Sequence, residues 1–225
     1  MYRSSISYLL LIILLSSCGD EGSFWKPKRV SPPSIEDRVM LSNIDNLGRS
    51  SWQKPAFIVS KLGDIEDKTI ADIGAGTGYF TFHLAYLHAQ VIALDIDTIM
   101  LSYIDTYKEK LPQHIRKEIT TRIAKTDDPL LSNAEIDGAI IINTAGYIDD
   151  LTGYLQTLKP SFKAGGKIVV VDYKTRDTEI PAPPADKLLP MSELILALES
   201  AGYNNINSDA NSLEYQYVVW ADVGM

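Results

Sequence analysis

From residue 36 onward, short β-branched hydrophobic runs alternate with stretches whose apolar positions recur at helical spacing. The runs predict strands over Lys68–Ala75, Gln90–Asp97, Ile119–Lys125, Ile136–Thr144 and Lys167–Tyr173. Helices are predicted between them over Gly78–Leu87, Thr98–Lys110 and Asp149–Phe162. AIIIN and KIVVVD are apolar almost without interruption, as strands are when both faces of a sheet are covered. Ahead of the first strand, Ile35–Gly48 and Trp52–Leu62 read as two helices, the second closing at Gly63. After the fifth strand come the proline-rich loop TEIPAPPADKLLP and a helix, SELILALESAGY, with Ser192 as its N-cap. NNINSD and LEYQYVVWADV then read as two strands whose short connection makes them antiparallel. The expected fold is α/β: a Rossmann-like doubly wound sheet of five parallel strands plus a C-terminal antiparallel hairpin, with helices on both faces.

The first residues break this alternation. Arg3 precedes an apolar run from Tyr8 to Leu15, which gives way to Ser16, Ser17 and Cys18. This is the order of a secretory signal. Its eight apolar residues fall well short of the ~20 that cross a bilayer as a helix. Gly19 to Ile35 is polar and interrupted by Pro27, Pro32 and Pro33, which reads as a tether. The expected division is therefore a signal over 1–17, a tether over 18–35 and one folded domain over 36–225. The chain has 225 residues and a net charge of −8, which argues against a nucleic-acid partner, since phosphate binding needs a positive surface. A single cysteine rules out an intrachain disulfide.

Candidate chemistry concentrates where the first strand ends. In IADIGAGTGYF, Gly74, Gly76 and Gly78 alternate with other residues, between a strand and a helix. Such a turn aims backbone N–H groups and a helix N-terminus at a ligand. The dinucleotide fingerprint G-x-G-x-x-G would need a third glycine where this chain has Tyr79. Asp72 also sits two residues before the first glycine, where a carboxylate is unfavourable beside a pyrophosphate. A dehydrogenase-like reading is disfavoured on both counts, and a ligand with a cationic amino-acid end fits better.

ADIGAGTGYF resembles the first motif of class I S-adenosylmethionine-dependent methyltransferases, an acidic residue followed by G-x-G-x-G. ALDID, TDDP, IDGAIIINTAGY and LKPSFKAGGKIVVVDYK are similar to that family's later motifs in order, and the likeness spans about residues 49 to 220. WQKP and LEYQY also resemble one subgroup of bacterial methyltransferases of undefined substrate. The resemblance implies S-adenosyl-L-methionine as cofactor. Asp72 would orient the glycine loop or reach the ligand's ammonium. Gly74, Gly76 and Gly78 would let the backbone approach its methionine and ribose parts. Asp95 would take the two ribose hydroxyls, Asp127 or Asp128 the adenine amino group, and Asn143 would lie beside the sulfonium or make a strand-end hydrogen bond. Leu15-Ser16-Ser17-Cys18 resembles a bacterial lipobox, which implies lipidation at Cys18 and a lipoprotein anchored to a membrane of the bacterial cell envelope, facing the periplasm or in the outer membrane.

The acceptor side is less marked. No general base stands out; Tyr147 and Asp172 are the candidates by position, while His83 and His88 read as packing or surface residues and His114 falls in a loop. Where the subgroup is expected to have histidines after the fourth-strand asparagine, this chain has Thr144-Ala145-Gly146-Tyr147. Two readings follow. One is methyl transfer to a small-molecule or lipid-like acceptor by a membrane-tethered enzyme; the other is a catalytically inactive, methyltransferase-like binding module outside the cytosol.

Overall fold

A computed structural model describes residues 48–174, 180 and 182–224. The signal, the tether with Cys18 and the helix expected over Ile35–Gly48 lie outside the described residues, apart from Gly48. Two short helices come first, α1 (Arg49–Gln53) and α2 (Pro55–Val59), and a 3-10 turn follows at Ser60–Leu62. The strands and α-helices that follow are β1 (Thr69–Ile73), α3 (Tyr79–Tyr86), β2 (Gln90–Asp95), α4 (Thr98–Lys108), α5 (Gln113–Arg116), β3 (Ile119–Ile123), β4 (Ile136–Ile142), α6 (Leu151–Leu158), β5 (Phe162–Tyr173), α7 (Met191–Ser200), β6 (Asn204–Asp209) and β7 (Gln216–Asp222), with further 3-10 turns at Ala145–Tyr147, Lys159–Ser161 and Ala185–Lys187.

The seven strands form one sheet in the order β3-β2-β1-β4-β5-β7-β6. The first five are parallel, and β7 runs antiparallel to both β5 and β6. The expected fold class is the observed one. One face of the sheet packs Ile70, Ile140, Val169 and Val171 under Ile58 of α2 and Phe82 and Leu84 of α3. The other packs Ile73, Ile141, Ile168 and Val170 under Leu155 and Leu158 of α6 and Leu198 of α7. Ala139, Ile140 and Ile141 of β4 and Ile168, Val169, Val170 and Val171 of β5 are fully buried, which is why these strands carry no polar alternation.

Several boundaries differ from the sequence expectation, each for a local reason. The helix expected over Trp52–Leu62 breaks at Lys54, which takes φ 48°, ψ 64°. Pro55 disfavours the α conformation in the residue before it and then starts α2. The helix expected to reach Phe162 ends at Leu158 and tightens into a 3-10 turn carrying Pro160. β5 starts at Phe162, five residues earlier than predicted, and Ile136 pairs with Phe162 across a register shift. Ser192 is not the N-cap of α7, because Pro190 holds that position without a side-chain cap.

Gly78 joins the sheet to α3 with φ 88°. A Cβ at Gly78 would lie 2.8 Å from Phe82 and 2.9 Å from Ile104, both core side chains. Gly78→Ala should therefore lower stability by about 3 kcal/mol, combining left-handed strain with overpacking. Urea unfolding followed by circular dichroism measures this, and an unchanged midpoint would contradict the packing.

Candidate functional site

The site begins where β1 stops. Gly74 and Ala75 both donate to the Leu94 carbonyl, at 2.8 and 2.9 Å, so the chain leaving β1 stays bound to the end of β2. Gly74 has φ 73°, and a Cβ there would collide with Thr144 Oγ1. Only glycine allows the end of β4 to approach the end of β1 this closely. Two cavities meet at this contact, because Gly74 and Thr144 line both.

The larger cavity, about 240 Å³, lies at the C-terminal ends of β1 and β2. Its walls include apolar Ile73, Leu94, Ala124 and Ile148, with Asp95, Thr126 and Tyr154 as polar groups. The smaller, about 160 Å³, lies over the glycine loop and is bordered by Arg49, Asp72, Gly76, Thr77 and Asn143. An apolar compartment with a few convergent polar groups, at the carboxyl ends of parallel strands, is the ordinary setting for a nucleoside ligand.

Two carboxylates hold the loop from below and from the side. Asp72 Oδ2 accepts from Thr81 Oγ1 at 2.6 Å, tying β1 to α3. Asp72 is only 2% exposed, and this burial pushes its carboxyl up to about 6, against the weaker opposing effects of the Thr81 hydrogen bond and the Arg49 charge. Asp95 Oδ2 accepts from Gly76 N at 2.8 Å and Oδ1 from Asp97 N at 2.9 Å. A carboxylate has about four acceptor positions, so both oxygens keep capacity for further donors.

The other predicted residues divide. Asn143 ends β4 in the left-handed region, φ 58°, a conformation asparagine tolerates. Its Oδ1 accepts a short hydrogen bond from Gln216 Nε2, and its side of the strand borders the smaller cavity. Asp127 and Asp128 line neither cavity; Lys125 and Thr126 of the same loop do. Asp128 instead holds its own turn, accepting from Leu130 N at 2.7 Å, and its charge adds to the burial that raises the Tyr154 phenol. Tyr147 is half exposed on the wall of the larger cavity, with Lys187 Nζ 5.9 Å from its ring centre.

Asp172, by contrast, is 1% exposed and lines neither of these two cavities. It accepts from Gly146 N at 3.2 Å and Tyr173 N at 2.8 Å, bracing the loop after β4. Burial pushes it up to about 6, those two backbone bonds pulling the other way. The proline-rich loop closes on the same place, since a Cβ at Gly146 would run into the Lys187 carbonyl. His83 packs edge-on against Tyr79, with ring centres 4.6 Å apart, as a packing residue would.

Arg49, Thr144 and Tyr154 are not among the sequence candidates. Thr144 follows Asn143 directly, so its place at the strand end is readable from the chain. Arg49 reaches the glycine loop only through the path of α1, and Tyr154 reaches the larger cavity only through the packing of α6. No spacing in the sequence marks either one.

The buried carboxylates generate a pH prediction. An aspartate whose folded pKa exceeds its unfolded value costs the fold nothing below pH 4. The cost grows as the unfolded chain ionises first, between pH 4 and 6, and is constant above. For Asp72 the span corresponds to about 3 kcal/mol. Asp72→Asn should gain stability relative to the parent by about that amount between pH 4 and 6, with a flat difference on either side. Thermal unfolding across that range tests it; a difference that does not vary with pH would refute the buried charge.

Residues 71–168 match the family model described as a methyltransferase domain. No curated protein matches the chain. Among solved structures, the chain is similar to a SAM-dependent methyltransferase from Aquifex aeolicus, at 21% identity and a TM-score of 0.71, over 83% of this chain and 98% of that one. It is also similar to phosphoethanolamine N-methyltransferase 2 from Haemonchus contortus in complex with S-adenosyl-L-methionine, at 14% identity and a TM-score of 0.62, over 77% and 53% of the two chains. A protein from Bordetella parapertussis described as a possible exported protein matches at 14% identity and a TM-score of 0.61, over 77% and 68%. The described chain thus has the Rossmann-like fold of the S-adenosylmethionine-dependent methyltransferases, and its central 71–168 segment matches the methyltransferase-domain family.

Proposed function

We propose that this protein is an S-adenosylmethionine-dependent methyltransferase acting on a small or lipid-like acceptor. The observation that carries the reading is the pair of cavities meeting at Gly74 and Thr144, with Asp95 on the larger and Asp72 on the smaller. A nucleoside joined to an amino acid matches that division: ribose hydroxyls donate to Asp95, and the ammonium end faces Asp72. A pyrophosphate would meet two carboxylates there. The apolar walls of the larger cavity suit the adenine ring, with Thr126 and Tyr154 at its polar edge in the place expected of Asp127 and Asp128.

Bound in this way, S-adenosylmethionine supplies an electrophilic methyl group for in-line displacement. The chain's own contribution is to align the acceptor and exclude water. A general base is required only for an acceptor that must lose a proton. Tyr147 stands at the cavity wall and is the one candidate that can touch an acceptor, whereas Asp172 acts through the backbone of Gly146 and Tyr173 as a positioning residue.

The same proposal includes the chain's first residues: export directed by 1–17, lipid on Cys18, and 18–35 tethering the domain to a membrane of the bacterial cell envelope. The match to the Bordetella parapertussis protein supports an exported setting for this fold. No helix among the described residues is long and apolar enough to cross a membrane. The second reading, a binding module without turnover, is favoured by the loop Thr144-Ala145-Gly146-Tyr147, which offers no histidine.

Isothermal titration with S-adenosylmethionine and NAD tests the cofactor: heat is expected with the first alone, and none would refute the reading. Asp95→Ala should weaken that binding by about 1.5–3 kcal/mol, the range for hydrogen bonds to a charged group, and unaltered affinity would remove Asp95 from the ribose. Binding without turnover on a broad acceptor panel would favour the binding module. For the anchor, incorporation of a labelled lipid precursor should disappear in Cys18→Ser; equal labelling rules the lipid out.

A further inference from the structure

We infer that Gln216 sets the orientation of the Asn143 amide and thereby selects a carboxylate as the methyl acceptor; this rests on the cofactor reading above. Gln216 opens β7 opposite Tyr173 of β5 and is fully buried. The chain just before it is pinned, since Lys174 Nζ donates to the Leu213 and Glu214 carbonyls at 2.7 and 2.9 Å. Gln216 Nε2 donates to Asn143 Oδ1, and Gln216 Oε1 is buried with no hydrogen-bond partner among the described residues. The reversed pairing would instead bury both hydrogens of Nε2 without an acceptor. A carbonyl oxygen is the less costly group to leave unpaired, which fixes the direction of the amide pair.

The backbone of Asn143 is equally constrained. It takes φ 58°, its N–H donates to the Val171 carbonyl at 2.8 Å, and Thr144 beside it packs against Gly74. With Oδ1 engaged by Gln216, Nδ2 is the amide atom left to meet a ligand in the smaller cavity that Asn143 borders. It brings two N–H donors and no lone pair. In the proposed binding mode the nucleoside and amino-acid parts join where the two cavities meet, at Gly74 and Thr144. The donors of Asn143 therefore stand beside the transferable methyl group.

A nucleophile at this place has to spare one lone pair for Asn143 while another attacks the methyl carbon. An amine has a single lone pair, and its N–H groups would face those of Asn143. A carboxylate has about four acceptor positions, so one oxygen attacks while others accept. It is also ionised at neutral pH, whereas an amine is protonated and an alcohol must lose a proton. That suits a site where Asp172 lines neither cavity and the loop Thr144-Ala145-Gly146-Tyr147 offers no histidine. In the transfer, one oxygen lone pair forms the bond to the methyl carbon, and the carbon–sulfur pair stays on sulfur. Carboxylate and sulfonium become a methyl ester and a thioether, and no proton moves.

The experiment incubates the full chain with S-adenosylmethionine and octanoate, octylamine or octanol, and measures methylated products by mass spectrometry. Methyl octanoate is the expected product. Gln216→Met should lower its rate of formation by about tenfold to a hundredfold, the loss of hydrogen bonds to a charged group. Its affinity for S-adenosylmethionine, measured by titration, should match the parent's, which also shows that the variant is folded. Asn143→Gly, which tolerates the positive φ, should show the same loss, and adding Gln216→Met to it should cost nothing more. Methylation of octylamine at or above the octanoate rate overturns the proposal, as does a parent that binds S-adenosylmethionine but methylates none of the three. A parallel loss of cofactor affinity and turnover in Gln216→Met, or a full further loss in the Asn143→Gly background, makes Gln216 structural and overturns its role. A parent that binds no S-adenosylmethionine overturns the cofactor reading beneath.

Discussion

The contact between Gly74 and Thr144 decides the geometry of everything around it. β1 and β4 are neighbours in the middle of the sheet, and both faces beside them are packed with aliphatic side chains. Their ends could not diverge without opening that core. Gly74 accepts the approach because it has no Cβ, and Thr144 fills the volume a side chain would have taken. The loop is thereby pressed against β4, with the larger cavity on one side of the contact and the smaller on the other. A serine or alanine at 74 would force the strand ends apart before it touched any ligand.

Charge is arranged around this contact in a way that follows from burial. Asp72 sits in the core layer beneath the loop with a hydroxyl partner, so its ionised form is disfavoured until about pH 6. Asp95, at the strand end, grips Gly76 N and Asp97 N and faces the larger cavity. The two residues are of one type and lie at the ends of adjacent strands, yet one is embedded and the other presented. Asp172 repeats the embedded arrangement on β5, bracing the turn that carries Tyr147. Buried aspartates of this kind cost stability at neutral pH, and what they hold in return is the shape of the loops above them.

The fold was readable because its determinants are local or periodic. Unbroken aliphatic runs such as AIIIN can only belong to strands covered on both faces, and glycines at 74, 76 and 78 announce the turn that leaves β1. Asp72, Asp95 and Asn143 could be placed because strand ends at one edge of a parallel sheet must lie together. Element limits were less legible wherever proline acts on its neighbours: Pro55 turns Lys54 out of the helix and Pro160 tightens the end of α6. Asp127 and Asp128 lie beside the cavity lining rather than in it for a related reason. In a turn, a neighbouring residue can point the opposite way, and here Lys125 and Thr126 face the cavity while Asp128 caps the turn itself.

The sequence by itself determined the parallel sheet, the antiparallel end, the glycine turn and the acidic residues at two strand ends, because hydrophobic period and glycine spacing act over a few residues. Only the tertiary structure decided that Arg49 borders the cavity over the glycine loop, that Tyr154 walls the larger cavity and that Asp172 braces the loop after β4 without lining either cavity. Those placements join residues from separate elements, brought together by how α1 and α6 pack on the sheet, and no spacing along the chain encodes that distance.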